Sequence, residues 1–406
     1  MKIGLVSYWC IPYTGGVSTY VLALRKGLEE RGHEVDILSH NQSGLHYHIV
    51  DKGKSMDKQT FLTPIMKQIG IRFNMNSRNY DAWLAAMEGE RLAFRQALTA
   101  FTLTKYDVLH AQDVISATAV SEIKPKNTPL VVTLHGKLAA EWKLQGVISD
   151  PSPAATWANT LDQYGSRVGD RIIVPSGWLK QQYESTSDLE KDPFDVIPYG
   201  FDTLSFLRQA ISLNGAIPKN DLKLIVCPAR LDAVKGHEVL LHALELLRKR
   251  RSDWVCWLVG DGPLRPRLEQ LTHDLKLQQH VMFLGHRNDM AALLSQADMV
   301  VAPSIHDNFP FVIMEAQVAG KPIIASDAGG IPEMIADRES GLLFTSGRAD
   351  LLCERINELL DDDRLQKRLA NQARYHGLRQ WSLDTMTERT LQLYDEALQA
   401  KQSGGK

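Results

Sequence analysis

Four charged residues are spaced in a way that could hold a negatively charged, hydroxyl-bearing ligand. Arg230 and Lys235 follow one apolar run, and Asp307 and Glu315 follow another. A guanidinium fork and a lysine point charge together suit a diphosphate. Taken singly, the two cations are more simply explained as surface charges, and Asp307 as a helix N-cap. Glu315 is harder to explain as a solvent-facing residue, because residues 311–314 before it are all apolar.

Glycines follow two further apolar runs. Gly15 and Gly16 separate the first run from the first helical pattern, where backbone N–H groups can approach an anion. Gly262 belongs to a Gly-Asp-Gly-Pro segment that follows residues 254–259. A tight turn without a ligand explains the first pair equally well and explains Gly262 better.

Short apolar runs alternate with helical patterns along the chain, which predicts strands that alternate with helices. The predicted strands are 2–7, 34–38, 107–110, 130–134, 171–174, 194–197, 222–227, 254–259, 281–284, 298–302, 322–325 and 341–344. Such apolar strands favour parallel sheets covered on both faces, and two series of them favour two doubly wound α/β domains. We expect the domains at 1–205 and 220–380, joined where Asn214, Gly215 and Pro218 gather.

A helix is expected from Pro310 to Val318, because proline suits a first turn and Gly320 follows the last turn. Asp307 then lies at the start of that helix and Glu315 within it. Since open α/β sheets bind ligands at the carboxyl ends of their strands, all four charged residues could approach one ligand.

The ordered set of motifs resembles the family-4 retaining glycosyltransferases of GT-B fold. The resemblance is carried by Arg230-x4-Lys235-Gly236, Gly260-Asp261-Gly262-Pro263 and Asp307-x7-Glu315. It extends to Gly15-Gly16 and to residues 107–110, 133–136 and 197–202, and so covers nearly the whole chain. It implies two Rossmann-like domains with a cleft between them and a last helix, 383–400, that packs back on the first domain.

The resemblance also implies roles on the nucleotide side of the donor. Arg230 and Lys235 would hold the diphosphate and stabilise the charge of the departing phosphate. Glu315 would bind the ribose hydroxyls. The backbone around His286 would receive the base, and the loop that contains Gly262 would approach the nucleotide.

On the sugar side, Asp307 and the amides of Asn308 and Phe309 would hold hydroxyl groups. His110 would face the sugar from the first domain, where Gly16 would approach the diphosphate. Arg230, Lys235, Asp307 and His110 are thus the implied catalytic residues.

Three positions depart from the family pattern. Asp307 replaces the usual glutamate and is one methylene shorter, and Pro310 replaces the usual glycine and removes an amide. Gln112 replaces a second histidine after His110. All three changes concern the placement of the donor sugar.

We therefore expect a retaining hexosyltransferase that uses a nucleotide diphosphate sugar, with a uridine diphosphate sugar as the first expectation. The acceptor could be a glycan, a lipid-linked molecule or a small molecule. No cofactor or metal is expected, since the acidic run 361–363 is typical of capping residues between two helices. Two alternatives stay open: a sugar-nucleotide 2-epimerase, for which Asp113 is the one suggestively placed carboxylate, and a non-catalytic assembly or coat protein.

The amino-acid composition limits the possible partners and the cellular compartment of the protein. The chain has 46 basic and 48 acidic residues, which argues against nucleic acid as a partner. Its four cysteines show no metal-binding spacing and favour a reducing compartment, so we expect a cytoplasmic protein.

Residues 52–74 have an apolar stripe at helical spacing flanked by lysines. A helix packed on its own domain is the simplest interpretation, and an acceptor lid or a peripheral contact with the inner membrane face are the alternatives.

Overall fold

The computed structural model describes residues 1–72, 81–186, 193–211 and 222–403, with residues 71, 72 and 211 described by their backbone alone. Parts of two predicted features lie outside these ranges, namely the end of the 52–74 segment and most of the expected join between the domains.

The chain folds as two compact units. Unit 1 consists of Met1–Gly200 together with Leu383–Lys406, and unit 2 consists of Phe201–Ser382. The observed division falls slightly before the boundary expected at residue 205, and the last helix belongs to unit 1.

Unit 1 contains a mixed sheet. Its strands are β1 (Lys2–Cys10), β2 (Glu34–His40), β3 (His46–Ile49), β4 (Ser55–Asp57), β5 (Val108–Ala111), β6 (Leu130–Thr133), β7 (Arg171–Val174) and β8 (Phe194–Val196). They lie in the order β4-β3-β2-β1-β5-β6-β7-β8, and only the pairings of β3 with β2 and β4 are antiparallel. The sequence pattern predicts the six parallel strands. It does not predict β3 and β4, which are short and rich in polar residues.

The helices of unit 1 cover this sheet. They are α1 (Gly16–Glu29), α2 (Gln59–Arg72), α3 (Ala82–Ala100), α4 (Val114–Ser121), α5 (Leu138–Leu144), α6 (Pro153–Gly165), α7 (Gly177–Glu184) and the C-terminal helix α15 (Leu383–Ser403), with a 3₁₀ turn at Leu103–Lys105. Strands such as β5 and β6 are buried along their whole length. This agrees with the continuous apolar runs expected for a sheet covered on both faces.

Unit 2 contains a parallel sheet. Its strands are β9 (Lys223–Pro228), β10 (Trp254–Val259), β11 (Val281–Gly285), β12 (Met299–Ala302), β13 (Ile323–Ser326) and β14 (Leu342–Phe344). Their order is β11-β10-β9-β12-β13-β14. The order reverses between β9 and β12, and ligands bind beside such a switch point in open α/β sheets.

The helices of unit 2 follow its strands. They are α8 (Thr203–Ile211), α9 (His237–Arg248), α10 (Arg265–Asp274), α11 (Met290–Gln296), α12 (Phe311–Val318), α13 (Ala349–Asp361) and α14 (Asp363–Gln380), with 3₁₀ turns at Ala233–Lys235 and Ile331–Glu333. On α9, the buried leucines Leu240, Leu241, Leu244 and Leu247 share one face and pack into the core.

The apolar stripe of α2 packs on α3. Ile65 and Ile69 are buried, and a Cβ added to Gly89 of α3 would lie 2.3 Å from the Met66 sulfur. The stripe is therefore occupied by protein contacts, as the simplest interpretation of this segment expects. Among the helices of the described ranges, none has the length and apolar character needed to cross a bilayer.

Candidate functional site

The loops that follow β9 and β12 touch through their backbones. The Ile305 N–H donates to the Val234 carbonyl at 2.8 Å. Gly236 has φ +69°, and a Cβ there would lie 2.0 Å from the Pro303 carbonyl oxygen. Glycine fits this position because it tolerates the left-handed conformation and leaves room for the second backbone. The contact brings the residues after β9 beside the residues that lead into α12.

Lys235 and Asp307 form an ion pair across these two loops. The lysine Nζ lies 2.6 Å from Oδ2, and the Ser304 hydroxyl donates to the same oxygen at 3.3 Å. Their side chains are only 21% and 12% exposed, so the pair is shielded more than a surface ion pair. The residue expected to hold phosphate and the residue expected to hold sugar hydroxyls are therefore in direct contact.

Arg230 lies on the rim of the same region. Its side chain is 52% exposed, and a guanidinium nitrogen lies 2.9 Å from Oδ2 of Asp232. Asp232 is a residue that the sequence pattern does not single out, because nothing in the spacing distinguishes it from a surface acid. An incoming diphosphate would meet a guanidinium that already has one carboxylate partner.

Glu315 is a partly buried carboxyl group on α12. Within the described ranges, no hydrogen-bond or ion-pair partner faces it, and burial raises its pKa to about 7. Its neighbours Met314 and Ala316 are completely buried. A carboxyl group in such surroundings costs free energy until a polar group reaches it. This geometry fits the expectation that Glu315 has a specific partner supplied by a ligand.

Asn308 and Phe309 lie just before α12, and both are buried. The Phe309 ring packs edge-on against Trp381 with centroids 5.4 Å apart, and the Trp381 indole N–H donates to Gln317 Oε1 at 2.5 Å. Asn308 is 8% exposed. The prediction for Asn308 and Phe309 therefore concerns their amides near the start of α12, where a helix favours negative charge.

Gly262 and His286 lie on the loops after the neighbouring strands β10 and β11. A Cβ on Gly262 would lie 2.5 Å from the Leu231 carbonyl oxygen, so this loop packs directly on the loop of Arg230. His286 is exposed. Its contact with a nucleotide base stays a prediction.

In unit 1, Gly15 and Gly16 begin α1. The Gly15 carbonyl accepts the Thr19 N–H at 3.0 Å, and a Cβ added to Gly15 would meet no described atom within 4 Å. The helix start is thus open, and its contact with a diphosphate also stays a prediction.

His110 is completely buried in unit 1. Its Nδ1 lies 2.7 Å from the Tyr394 hydroxyl on α15, and its Nε2 lies 2.7 Å from the Thr133 hydroxyl. Burial lowers its pKa to about 3, so the ring is neutral at pH 7. Both ring nitrogens therefore have protein partners, and the sequence did not reveal the one on Tyr394 because that residue is far away along the chain. Contact of His110 with a sugar stays a prediction.

Asp113 caps a helix. Its carboxylate accepts the Ser116 N–H at 2.7 Å and the Tyr8 N–H at 2.9 Å. A carboxylate committed to backbone groups is poorly placed for proton transfer, so the residue that kept the epimerase alternative open has a structural explanation.

The acidic run 361–363 also has structural partners. The Asp362 carboxylate accepts the Arg364 and Leu365 N–H groups, each at 2.9 Å, and so caps α14. Within the described ranges, no three His, Cys, Asp or Glu side chains are grouped in a way that could hold a metal ion.

Two family models match the chain over adjacent regions. The model for "Glycosyltransferase Family 4" matches residues 14–204, and the model for "Glycosyl transferases group 1" matches residues 213–376. Together they span both units.

Relatives resemble the chain over its full length. An uncharacterized glycosyltransferase of Methanocaldococcus jannaschii is 26% identical over 98% of this chain and 99% of the relative. The N-acetyl-alpha-D-glucosaminyl L-malate synthase of Bacillus anthracis is 26% identical over 100% of this chain and 99% of the relative.

Solved structures share the fold at low sequence identity. Sucrose-phosphate synthase of Thermosynechococcus elongatus has a TM-score of 0.77 at 21% identity, covering 98% of this chain and 100% of that one. Anabaena HepE in complex with UDP and glucose has a TM-score of 0.70 at 19% identity, with the same coverage.

Two Rossmann-like units with this arrangement of loops define a transferase of GT-B fold. Within that class, the chain belongs to the group 1, family 4 glycosyltransferases. Membership of a family of enzymes removes the support for the non-catalytic alternative.

Proposed function

We propose that this glycosyltransferase moves a sugar from a uridine diphosphate donor to an acceptor hydroxyl, with retention of anomeric configuration and without a metal ion. The observation that carries the proposal is the contact of Lys235 with Asp307 across the loops after β9 and β12. Glu315 on α12 adds a partly buried carboxyl group for which the described residues supply no hydrogen-bond or ion-pair partner. The complexes of HepE with UDP support the choice of uridine.

In the proposed reaction, Arg230 and Lys235 stabilise the negative charge that develops on the departing diphosphate. Electrostatic stabilisation of this kind is usually the largest catalytic contribution, and here cationic side chains take the place of a metal ion. The bond between the anomeric carbon and the phosphate oxygen breaks as the acceptor oxygen forms its bond on the same face. The acceptor proton passes to the phosphate oxygen, so no protein base is required.

Asp307 and Glu315 position the donor. Asp307 has a shorter side chain than the usual glutamate, and its Oδ2 atom is bound by Lys235 and Ser304. These two contacts orient the carboxylate before a sugar binds. Glu315 accepts hydrogen bonds from ribose hydroxyls, which satisfies its buried carboxylate and lowers its pKa from about 7.

The donor assignment is tested by thermal unfolding in EDTA with UDP, GDP and ADP sugars. Binding to the native state raises the midpoint, and we expect the largest rise with a UDP sugar. Arg230→Ala should remove that rise and leave the ligand-free midpoint unchanged, because Arg230 is exposed. Arg267→Ala is the matched control, since this arginine is 70% exposed and pairs with Glu238 on the same unit.

The stereochemistry is tested with the same donor. NMR spectra recorded early in the reaction show the anomeric configuration of the sugar that leaves the donor. Retention predicts that this configuration is the same as in the donor. Release of the opposite anomer, or an absolute need for Mg²⁺, would contradict the proposal.

A further inference from the structure

Helix α14 of unit 2 carries an excess of positive charge. Its residues Asp363–Gln380 include five basic side chains and one acidic side chain, whereas the whole chain has 46 basic and 48 acidic residues. The preceding helix α13 has the opposite balance, with four acids and one arginine. A solvated helix face usually carries charges of both signs. The positive charge of α14 is therefore a local feature that a balanced surface does not explain.

The basic side chains of α14 lie on its solvent face. The helix buries Leu369, Ala373 and Gly377, which recur every four residues. The cations recur at intervals of three and four on the opposite face and are all exposed: Arg364, Lys367, Arg368, Arg374 and Arg379. These five cations, with Asn371, Tyr375 and Leu378 between them on the same face, are called the α14 stripe. The stripe extends over about 22 Å of helix.

The acids nearest to the stripe in sequence have partners elsewhere. Asp361 Oδ1 lies 2.6 Å from an Arg251 guanidinium nitrogen, and Asp363 Oδ1 lies 3.2 Å from Lys223 Nζ. The Asp362 carboxylate accepts backbone N–H groups at the start of the helix. These three carboxylates therefore leave the cationic side chains of the stripe unneutralised.

The cations of the stripe are available to a partner from outside the chain. Three of them have no ion-pair partner among the described residues, namely Arg364, Lys367 and Arg374. The other two donate to uncharged oxygens, Arg368 to the Arg338 carbonyl at 3.0 Å and Arg379 to the Tyr375 hydroxyl at 2.8 Å. The stripe thus complements an extended negative surface.

Two large side chains lie among these cations and project into solvent. Tyr375 is 61% exposed and Leu378 is 38% exposed. The Arg379 guanidinium carbon lies 5.2 Å from the centroid of the Tyr375 ring. Tyrosine and leucine beside basic residues suit the boundary between lipid headgroups and acyl chains, where apolar groups leave water and cations stay at the headgroups. This combination favours a lipid surface over a purely ionic partner such as a nucleic acid.

We propose that the α14 stripe docks the protein on a membrane surface rich in anionic phospholipids. Guanidinium groups form forked hydrogen bonds with phosphate, and about four to eight basic residues on an amphipathic helix are typical of such docking. Tyr375 and Leu378 enter the headgroup layer while the cations contact the phosphates. The stripe lies on unit 2 and is distinct from the 52–74 segment, whose apolar side chains pack on α3. Docking goes beyond the proposed function and does not depend on it.

Co-sedimentation of the full chain with vesicles tests the proposal. Vesicles of phosphatidylcholine alone are compared with vesicles of equimolar phosphatidylcholine and phosphatidylglycerol, each at low and at high salt. We expect binding to the anionic vesicles alone, and weaker binding at high salt because salt screens the charges. Duplex RNA in the same buffer serves as an alternative polyanion.

A triple variant, Arg364→Gln with Lys367→Gln and Arg374→Gln, removes the three unpaired charges and keeps good helix formers. Since each cation near an anionic surface contributes roughly fivefold to affinity, this variant should bind the vesicles about a hundredfold more weakly. Its thermal midpoint should stay unchanged, because these side chains have no ion pair to lose.

The matched control removes three exposed cations elsewhere on unit 2, by Arg250→Gln, Arg267→Gln and Lys276→Gln. It has the same net charge as the first triple variant and should bind the vesicles as tightly as the wild type. The comparison separates the position of the charges from their number.

Asn371→Lys tests the proposal in the opposite direction and removes no cation. Asn371 is exposed within the stripe, so a lysine there should raise vesicle affinity about fivefold. Gln279→Lys adds the same charge at an exposed position between α10 and β11 and should leave the affinity unchanged. This pair keeps the test decisive even if the triple variant does not fold.

Three results would overturn the proposal. Absence of binding to the anionic vesicles at low salt would exclude the lipid surface, and tighter binding to duplex RNA than to vesicles would assign the stripe to nucleic acid. Equal effects of the stripe variants and their controls would show that net charge, and not α14, decides binding. The thermal shift with UDP sugars is measured without vesicles, so failure of docking leaves the proposed function standing.

Discussion

The carboxyl edges of the two sheets carry different kinds of side chains. In unit 2 the exposed edge carries charge, with Lys235 paired to Asp307 and Arg230 paired to Asp232. In unit 1, the Tyr47 hydroxyl and the His40 Nε2 atom beside the ends of β1 and β2 are buried and have no hydrogen-bond partner among the described residues. The edge of unit 2 thus contains paired charges, whereas these two atoms of unit 1 belong to uncharged polar groups.

The two edges also differ in how the chain assembles them. The unit 2 residues come from two short stretches that follow β9 and β12, whereas Tyr8, His40 and Tyr47 of unit 1 come from three different strands. The proposed donor residues can therefore be recognised from local motifs, whereas the unit 1 contacts depend on tertiary packing. The following predictions test this comparison, from the largest expected effect to the smallest.

Lys235→Ala should lower the turnover number by about 10²–10³-fold, because it removes a charge that stabilises the departing diphosphate in the proposed reaction. The measurement is the initial rate of UDP release with the UDP sugar that gives the largest thermal shift. Lys249→Ala is the control, since Lys249 is 57% exposed and pairs with Glu245 on α9. A rate within about threefold of the wild type would show that the charged edge does not act in catalysis.

Gly236→Ala should destabilise the chain by about 3 kcal/mol and abolish the shift with UDP, because it combines a strained backbone with a clash against Pro303. Gly347→Ala is the control, with φ +78° and no described atom within 4 Å of the added Cβ. It should cost only about 1 kcal/mol. Equal losses in chemical denaturation would mean that contact between the two loops is unimportant.

Tyr394→Phe should lower stability by about 2 kcal/mol, because it leaves buried His110 without one of its two partners. Turnover should change little if His110 is structural. Tyr375→Phe, at a tyrosine that is 61% exposed, should have no effect on unfolding. A tenfold loss of turnover with unchanged stability would instead assign His110 to the reaction.

Glu315→Gln should stabilise the ligand-free chain by about 1 kcal/mol at pH 8 and raise the donor KM about tenfold. The carboxyl has a raised pKa of about 7 in the folded chain, so its contribution is most favourable below the unfolded pKa and is lost as pH rises through 7. The gain from the variant should therefore vanish at pH 4.5. A gain that did not depend on pH, in thermal midpoints taken at both values, would refute this account of Glu315.

The fold and the charged edge could be predicted from sequence because their signals are local. The parallel strands have continuous apolar runs, and Arg230, Lys235, Asp307 and Glu315 each follow such a run directly. Strands β3 and β4 could not be predicted, because they are short, contain several polar residues and form through pairing with strands beside them in the sheet.

The contacts that escaped prediction join residues far apart in sequence. The bond between His110 and Tyr394 depends on α15 returning to unit 1, and the pair of Lys58 and Glu90 depends on α2 packing on α3. Neither partner has a distinctive residue type or spacing. Sequence reasoning can nominate a strand-end histidine, but only the packed chain shows whether its nitrogens are already occupied.

The points where the chain enters and leaves unit 2 are bonded to each other. The Phe201 N–H donates to the Trp381 carbonyl at 3.1 Å, and Phe201 and Ser382 form a bridge. Because its two ends meet, the segment 201–382 could be removed as one piece. A short linker from Gly200 to Leu383 could then join the two remaining parts of unit 1. If the proposed donor residues of unit 2 set donor preference, grafting the segment 201–382 between relatives would exchange that preference without a change to unit 1.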